Sequence, residues 1–349
     1  MNLHELIVSN DMSVLNAMNV IDKNARGIVY VCKGIKLEGV LTDGDIRRYI
    51  MKNGDLTAPV SEIANHSVKY ISHEEMTNAD NYMKTQEITS VPIVDKDHNI
   101  ISIKFLDGEQ AYKNINLNIP VVIMAGGKGT RLYPYTKILP KPLLPIGDIT
   151  ITELIMDKFE AFGCTDFNII VNYKKDLIKS YFKDNEKKRD ITFTDETEFL
   201  GTGGGLTLIA GRHKETFFMT NCDILVNEDY GAMIDYHKNN KNIITLICAM
   251  KNVTIPYGTI DIAQTGQIIK ITEKPSSSYM INTGLYIIEP EFIELIPKNQ
   301  FIHLTDIIQE CITKGGKVGA YPISENAWFD MGQFEEMDKM KERLNIYEQ

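Results

Sequence analysis

The sequence predicts an α/β protein: a domain with a mixed, mainly parallel sheet, preceded by a smaller α+β module. Three observations carry this prediction. The 349 residues exceed the ~100 to 200 residues of a common domain, so two domains are expected. From residue 119 onward, short β-branched runs alternate with stretches of helical periodicity, the order expected of a sheet with crossover helices. Before that point the chain carries a weak internal repeat, and such repeats bury their apolar faces by pairing.

The repeat overlays Ile28–Asp45 (IVYVCKGIKLEGVLTDGD) on Ser90–Asp107 (SVPIVDKDHNIISIKFLD) without a gap. Each copy reads as helix, strand, turn, strand, helix. DMSVLNAMNVIDKN and NADNYMKTQE supply the helical spacing, and IVYVCK, KLEGVLT, VPIVD and NIISIKF supply the strands. The polar stretch AYKNINLNI at 111–119 reads as the linker, which gives a module over 1–115 and a second domain over 119–349. Beyond it come the strand IPVVIMA, a glycine-rich loop, the helix ITELIMDKFEAF, the strand DFNIIVN, the helix KDLIKSYF, the strands DITFTDE and FFMTNCD, the helix DYGAMIDYHKNN and the strand NIITLICAM. The final residues, MGQFEEMDKMKERLNIYEQ, predict a solvated amphipathic helix.

Composition narrows the function classes. Hydrophobic residues at 43% and charged residues at 24% exclude a disordered or collagen-like chain. A formal charge of −10 lacks the basic footprint of a nucleic-acid or anionic-membrane binder. The five cysteines form no C-x-x-C pair and sit among apolar residues, so they read as reduced core thiols. With no leader and no long apolar run, a cytoplasmic location is expected.

The chemistry concentrates after the strand IPVVIMA, in MAGGKGTRLYPYTKILPKPLLPI (Met124–Ile146). Ala125, Gly126, Gly127, Gly129 and Thr130 let backbone N–H groups approach an anion, and Arg131, Lys128 and Lys141 supply cations. The string is neither a Walker loop nor a dinucleotide fingerprint.

This string resembles, almost position for position, the G-G-x-G-T-R-L-x-P-x-T-x-x-x-P-K-P-L signature of the sugar-1-phosphate nucleotidyltransferases. Further family features follow in order: LGTGGGL (Leu200–Leu206), NCD (Asn221–Asp223), YG (Tyr257–Gly258), EKP (Glu273–Pro275), NTGLY (Asn282–Tyr286) and WFDMG (Trp328–Gly332). The resemblance implies a Rossmann-like, GT-A-like domain in which a sugar 1-phosphate attacks the α-phosphorus of a nucleoside triphosphate and expels pyrophosphate. It implies Mg²⁺ held by Asp223 and Asp330, Arg131 on the departing pyrophosphate, and Lys141 on the attacking phosphate. It places the nucleotide against the glycine-rich loop and Gly201, Thr202 and Gly203, and the sugar phosphate against Tyr257, Gly258, Glu273, Lys274, Asn282 and Thr283. From the residues alone, an Asp at a strand end is more often a turn or N-cap residue, and Lys274 before Pro275 can be simple turn chemistry.

Glu196 bears on the base. The resemblance often has Gln at this position in uridylyl- and thymidylyltransferases, whereas a carboxylate fork suits the adjacent N1–H and N2–H₂ donors of guanine. GTP is the expected triphosphate, although Glu196 also reads as one acidic loop residue among Asp195 and Glu198.

The N-terminal module, with GVLTDGDIRRYI in its first copy, resembles a CBS domain pair, a module that often binds adenine nucleotides and also serves as a dimerisation unit. The resemblance puts a ligand on Thr42 and Asp45. The second copy has Ile101 at the glycine position and Lys104 at the hydroxyl position and keeps only Asp107, so one usable site and a homo-oligomer are expected. The whole arrangement is similar to the glucosamine-1-phosphate guanylyltransferases of bacterial legionaminic acid synthesis, and to heptose- and mannose-1-phosphate guanylyltransferases. Thymidylyl or uridylyl transfer to a hexose 1-phosphate, or a non-catalytic nucleotide-sensing subunit, are the alternatives.

Overall fold

The computed structural model describes residues 2–52, 54–108, 110–112, 116–184, 187 and 189–332. The expected C-terminal helix falls in 333–349 and part of the expected linker in 113–115, outside the described residues.

The repeat forms two small sheets. Strands β1 (Ile7–Ser9), β2 (Ile28–Lys33) and β3 (Lys36–Thr42) make one, with helices α1 (Val14–Asn24) and α2 (Asp43–Ile50). Strands β4 (Ile71–Ser72), β5 (Ser90–Val94), β6 (Ile100–Phe105) and β7 (Gln110–Tyr112) make the other, with α3 (Ala79–Thr85). Corresponding strands pair alike: β1 with β2 and β4 with β5 are parallel, and β2 with β3 and β5 with β6 are antiparallel. One apolar cluster, with Tyr30 and Cys32 from the first copy and Ile100, Ile103 and Phe105 from the second, joins them. Each half buries the face the other needs.

The second region contains β8 (Val121–Ala125), β9 (Pro145–Ile146), β10 (Ile149–Thr150), α4 (Ile151–Glu160), β11 (Asp166–Val171), α5 (Lys175–Lys183), β12 (Asp190–Asp195), α6 (Gly201–Gly204), β13 (Phe217–Asn221) and β14 (Ile224–Val226). Then come α7 (Tyr230–Asn240), β15 (Ile244–Thr254), β16 (Thr259–Ile262), β17 (Ile268–Thr272), β18 (Ser276–Ile288), α8 (Pro290–Glu294), α9 (Leu304–Thr313), β19 (Val318–Ser324) and β20 (Trp328–Asp330). Among the described residues a seven-stranded sheet has the order β12-β11-β8-β13-β18-β15-β19. Only β18 runs against its neighbours; the other pairings in this sheet are parallel.

Burial on both faces explains the continuous apolar run of the first strand. Val121, Ile123 and Ala125 of β8 face a cluster with α4 and α7, whereas Val122 faces a second cluster built on α8 and α9. Helix α4 starts with a capping box, Thr150 and Glu153 exchanging side chain and backbone hydrogen bonds. The sequence order then fixes where a ligand can sit. After β8 the chain moves to β11 and β12 on one side and later returns to β13 on the other, so the carboxyl ends of β8 and β13 flank a topological switch point.

All five cysteines are free and buried, as their apolar neighbours predict. Among the described residues no helix is long and apolar enough to cross a membrane.

Candidate active site

At the switch point the glycine-rich loop and the β13 end enclose a cavity of about 270 Å³. Gly126, Gly127, Gly129, Thr130, Arg131, Lys141, Glu196, Gly201, Thr202 and Asp223 line it, so most of the expected nucleotide residues meet there. Two do not. Ala125 is the buried last residue of β8, and Gly203 packs with its N–H on the Ile302 carbonyl, 3.0 Å away. Met124, Phe199, Asn221 and Cys222 also line the cavity; Met124, Asn221 and Cys222 fall in quoted motifs without a role of their own, and Phe199 was not singled out. Phe199 had a signal available, an aromatic in a polar loop that stays 54% exposed.

Gly129 shapes the loop. Its φ of 64° is left-handed, and a Cβ there would come within 2.9 Å of Thr136 and 3.2 Å of Lys141. The following turn, Thr130–Leu132, buries Leu132 and leaves the Arg131 side chain 62% exposed over the cavity.

The charged centre lies beside that turn. Lys141, 8% exposed, pairs with Asp223 Oδ2, and the Arg131 guanidinium stands 3.9 Å from the same oxygen. Asp223 leaves β13 and enters β14, which pairs antiparallel with β20; Asp330 is the last residue of β20 and lies opposite Ile224. The Met331 N–H donates to the Asp223 carbonyl at 2.7 Å, tying the two acidic positions together. Gly332 closes the arrangement: a Cβ on it would be 2.8 Å from Asp330 Oδ1, 3.1 Å from Asp223 Oδ2 and 3.4 Å from Arg131 Cζ. Two carboxylates and a guanidinium therefore converge on a space kept clear by a missing side chain. The sequence reading quoted Gly332 in WFDMG without giving it a role.

This donor set fits Mg²⁺. Mg²⁺ is commonly held by one or two carboxylates together with substrate phosphates rather than by an all-protein cage.

Glu196 is 3% exposed. One oxygen accepts the Leu200 N–H at 2.8 Å, and the other faces Gly126 across the cavity wall. Burial pushes its carboxyl above the usual range, against the Leu200 hydrogen bond, which lowers it. One carboxylate oxygen, rather than a fork, is left for a ligand.

Of the expected sugar residues, Tyr257, Gly258, Glu273 and Lys274 lie on a separate arm formed by the outer ends of β15 and β18 and the β16–β17 hairpin, and Asn282 and Thr283 lie where β18 enters the central sheet. Tyr257 is 74% exposed, and Glu273 reaches back over Gly258, where a Cβ would come within 3.0 Å of its carboxylate. Lys274 has a left-handed φ of 44°. Asn282 donates to the Tyr286 hydroxyl at 2.7 Å. Thr283 is 2% exposed and gives its hydroxyl to the Ile247 carbonyl at 2.7 Å, at the β15 bulge. None of these six residues lines the cavity.

In the N-terminal region, Thr42 lines a 420 Å³ cleft between the two repeats, and Asp45 does not. Both residues form the capping box of α2, and Asp45 also pairs with Arg48. Asp107 of the second copy pairs with Arg26 of the first, whose guanidinium stacks 4.5 Å over Phe105.

Comparison with known proteins agrees with this geometry. The nucleotidyl transferase family matches residues 120–345, and the CBS domain family matches residues 1–52. The bifunctional protein GlmU of Methanococcus aeolicus is 33% identical over 225 residues, covering 61% of this chain and 51% of that protein. The mannose-1-phosphate guanyltransferase of Saccharomyces cerevisiae is 33% identical over 227 residues, covering 61% of each. The chain thus spans about half to six-tenths of the length of these curated relatives. Among solved structures, HddC from Yersinia pseudotuberculosis is 27% identical with a TM-score of 0.52, over 65% of this chain and 99% of that one; a second structure of it, complexed with GMP-PN, gives 26% and 0.51. This chain belongs to the nucleotidyl transferase family and carries a CBS domain at its N-terminal end.

Proposed function

We propose that this chain is a sugar-1-phosphate guanylyltransferase: it joins GTP and a sugar 1-phosphate to give a GDP-sugar and pyrophosphate, using Mg²⁺. The convergence of Arg131, Asp223 and Asp330 around Gly332, with Lys141 paired to Asp223, beside a glycine-rich loop at a topological switch point, carries this reading.

The reaction suits these residues. A sugar phosphate has a second pKa near ~6 and is already largely ionised at neutral pH. No general base is needed, and rate must come from alignment and charge neutralisation. Bound Mg²⁺ would neutralise phosphate charge and template the two substrates, with Asp223 and Asp330 as its protein ligands. Lys141 has a ready ion-pair partner in Asp223, and transfer of that ammonium to an arriving phosphate would free the carboxylate. Arg131, exposed and without a cover, can follow the pyrophosphate out.

Guanine is favoured by the buried Glu196 carboxylate, which offers an acceptor at the cavity wall. The names of the relatives support the same base: mannose-1-phosphate guanyltransferases recur among them, and HddC was crystallised with GMP-PN. For the sugar we propose α-D-glucosamine 1-phosphate, serving legionaminic acid synthesis, on the similarity of the domain arrangement. Mannose or heptose 1-phosphate is the competing substrate. Incubation with Mg²⁺, each nucleoside triphosphate and a panel of sugar 1-phosphates, with pyrophosphate measured, tests all three levels. No pyrophosphate with any pair would overturn the reaction, and a preferred pyrimidine triphosphate would overturn the base.

For the N-terminal module we propose one adenine-nucleotide site, in the cleft that Thr42 lines, and a dimerising role. The Arg26–Asp107 pair, stacked on Phe105, ties up the second copy's carboxylate. Calorimetry of the full chain with AMP should give at most one site per chain, weakened by Asp45→Ala, which removes the carboxylate that holds the Thr42 hydroxyl. Two equivalent sites would overturn this.

A further inference from the structure

Lys104 stands where the first repeat has the hydroxyl of Thr42, and the structure turns it to a different use. Its side chain is 5% exposed and its ammonium lies 3.4 Å from Asp80 on α3. Among the described residues that ammonium has no hydrogen-bond acceptor, and the buried Glu228 Oε2 across the domain boundary has no donor. Burial pushes the Glu228 carboxyl up, and the attraction of Lys104 is the largest effect opposing it. The second repeat thus presents a cation to a carboxylate of the catalytic region.

What that carboxylate follows is the two-stranded ribbon of the active site. At one end of the ribbon Ile224 pairs with Asp330, beside Asp223; at the other Val226 pairs with Trp328. The Asn227 N–H continues the ladder to the Ala327 carbonyl at 2.8 Å. Both residues flanking this far end are bonded to the second repeat. The Asn227 amide donates to the Gly108 carbonyl at 2.9 Å, and the Asn326 amide donates to Asp80 Oδ2 at 2.7 Å. Asn227 is fixed from its own side too, by Lys158 of α4 on its Oδ1 at 2.7 Å. A cavity of about 210 Å³ lies beside these contacts, lined by Asp80, Gly108, Asn227 and Asn326.

We infer that the second repeat is a support for the carboxylate ribbon, with Asn227 and Asn326 as positioning residues for Asp223 and Asp330. This rests on the proposed reaction and deepens it. Two antiparallel strands of three residues each are marginal by themselves; here Ile224, Leu225, Val226 and Phe329 are buried in the core, which fixes the middle of the ribbon and leaves its two ends to polar contacts. One end is closed by the Met331–Asp223 hydrogen bond and the other by the repeat. Anything that shifts the second repeat relative to the catalytic region moves the far end of a lever whose near end carries both acidic residues.

The test uses Asn326→Ala in the full chain, because the Asn326–Asp80 contact is exposed and its loss leaves the Lys104–Asp80 pair in place. Two quantities are measured: Mn²⁺ affinity by calorimetry with a non-hydrolysable GTP analogue present, and the metal concentration giving half-maximal pyrophosphate release. The variant should weaken both by about three- to tenfold, the range expected for one hydrogen bond, with kcat at saturating metal within about twofold of wild type. Unchanged Mn²⁺ affinity, or a loss of thermal stability with no change in metal dependence, would overturn the inference. A wild-type protein that binds Mn²⁺ but releases no pyrophosphate would overturn the proposed reaction instead, and the Mn²⁺ shifts would still decide the support.

Discussion

At the nucleotide end of the site Glu196, Lys141 and Asp223 are 3%, 8% and 7% exposed, whereas on the sugar arm Tyr257 is 74% exposed and the hairpin isoleucines Ile260, Ile262, Ile268 and Ile271 are 56%, 65%, 59% and 63% exposed. The first region grows out of the central sheet, where Lys141 pairs with Asp223 and Glu196 accepts the Leu200 N–H. The second is a projection: β15 and β18 run past the sheet, and the β16–β17 hairpin pairs only with itself among the described residues. On the proposed function, the triphosphate would meet a preformed wall and the sugar an exposed surface. Binding of a GTP analogue to the free chain, followed by sugar phosphate only afterwards, is the corresponding sequence in calorimetry.

The largest test of this contrast is Asp223→Asn. It removes the charge that both Lys141 and the metal would use, and kcat should fall by roughly 10² or more with the circular dichroism spectrum unchanged. Near wild-type turnover would mean that the preformed end is not the reacting end. On the arm, Lys274→Ala should raise KM for the sugar 1-phosphate by about 10- to 100-fold, the loss expected for a charge-assisted hydrogen bond, while GTP-analogue affinity stays constant. An equal loss of both affinities would show that the two ends form one unit.

A smaller effect is expected at Glu196. Because Leu200 already holds one oxygen, Glu196→Gln should narrow the kcat/KM advantage of GTP over UTP by only about five- to tenfold, the low end of base discrimination by side-chain contacts. No change would assign Glu196 to loop structure alone. The smallest expected effect is its pH dependence. Burial raises the Glu196 carboxyl, so in the wild type it protonates at higher pH than an exposed glutamate would, and the preference for GTP should shrink as pH falls. In Glu196→Gln the preference should be flat over the same range. The same shift carries a stability cost: the contribution of this group is fully present at low pH and is lost as pH rises through its raised value.

Much of this was legible along the chain. Strand and helix periodicities are local properties, and alternating them with short connections leaves few topologies open. That is why the α/β order, the repeat and the switch-point loop could be read directly. The phosphate chemistry was legible for a similar reason: glycines, Arg131 and Lys141 lie within one short segment. The roles of Thr202 and Thr283 were not. Both hydroxyls are engaged with distant backbone, at Leu304 and Ile247, partners that lie far away in sequence.

By itself the sequence determined the fold class, the anion-binding loop and the residue types available for the reaction, because each depends on spacings of a few residues. Only the tertiary structure decided three further things. It paired Ile224 with Asp330 across the chain and made Gly332 the clear space between two carboxylates. It committed one oxygen of Glu196 to Leu200. It set Lys104 against Asp80, beside residues of the catalytic region. Each is a meeting of groups whose separation is set by how layers pack, and burial then fixes what those groups can do, since a charged or polar atom withdrawn from water must take the partners that packing brings to it.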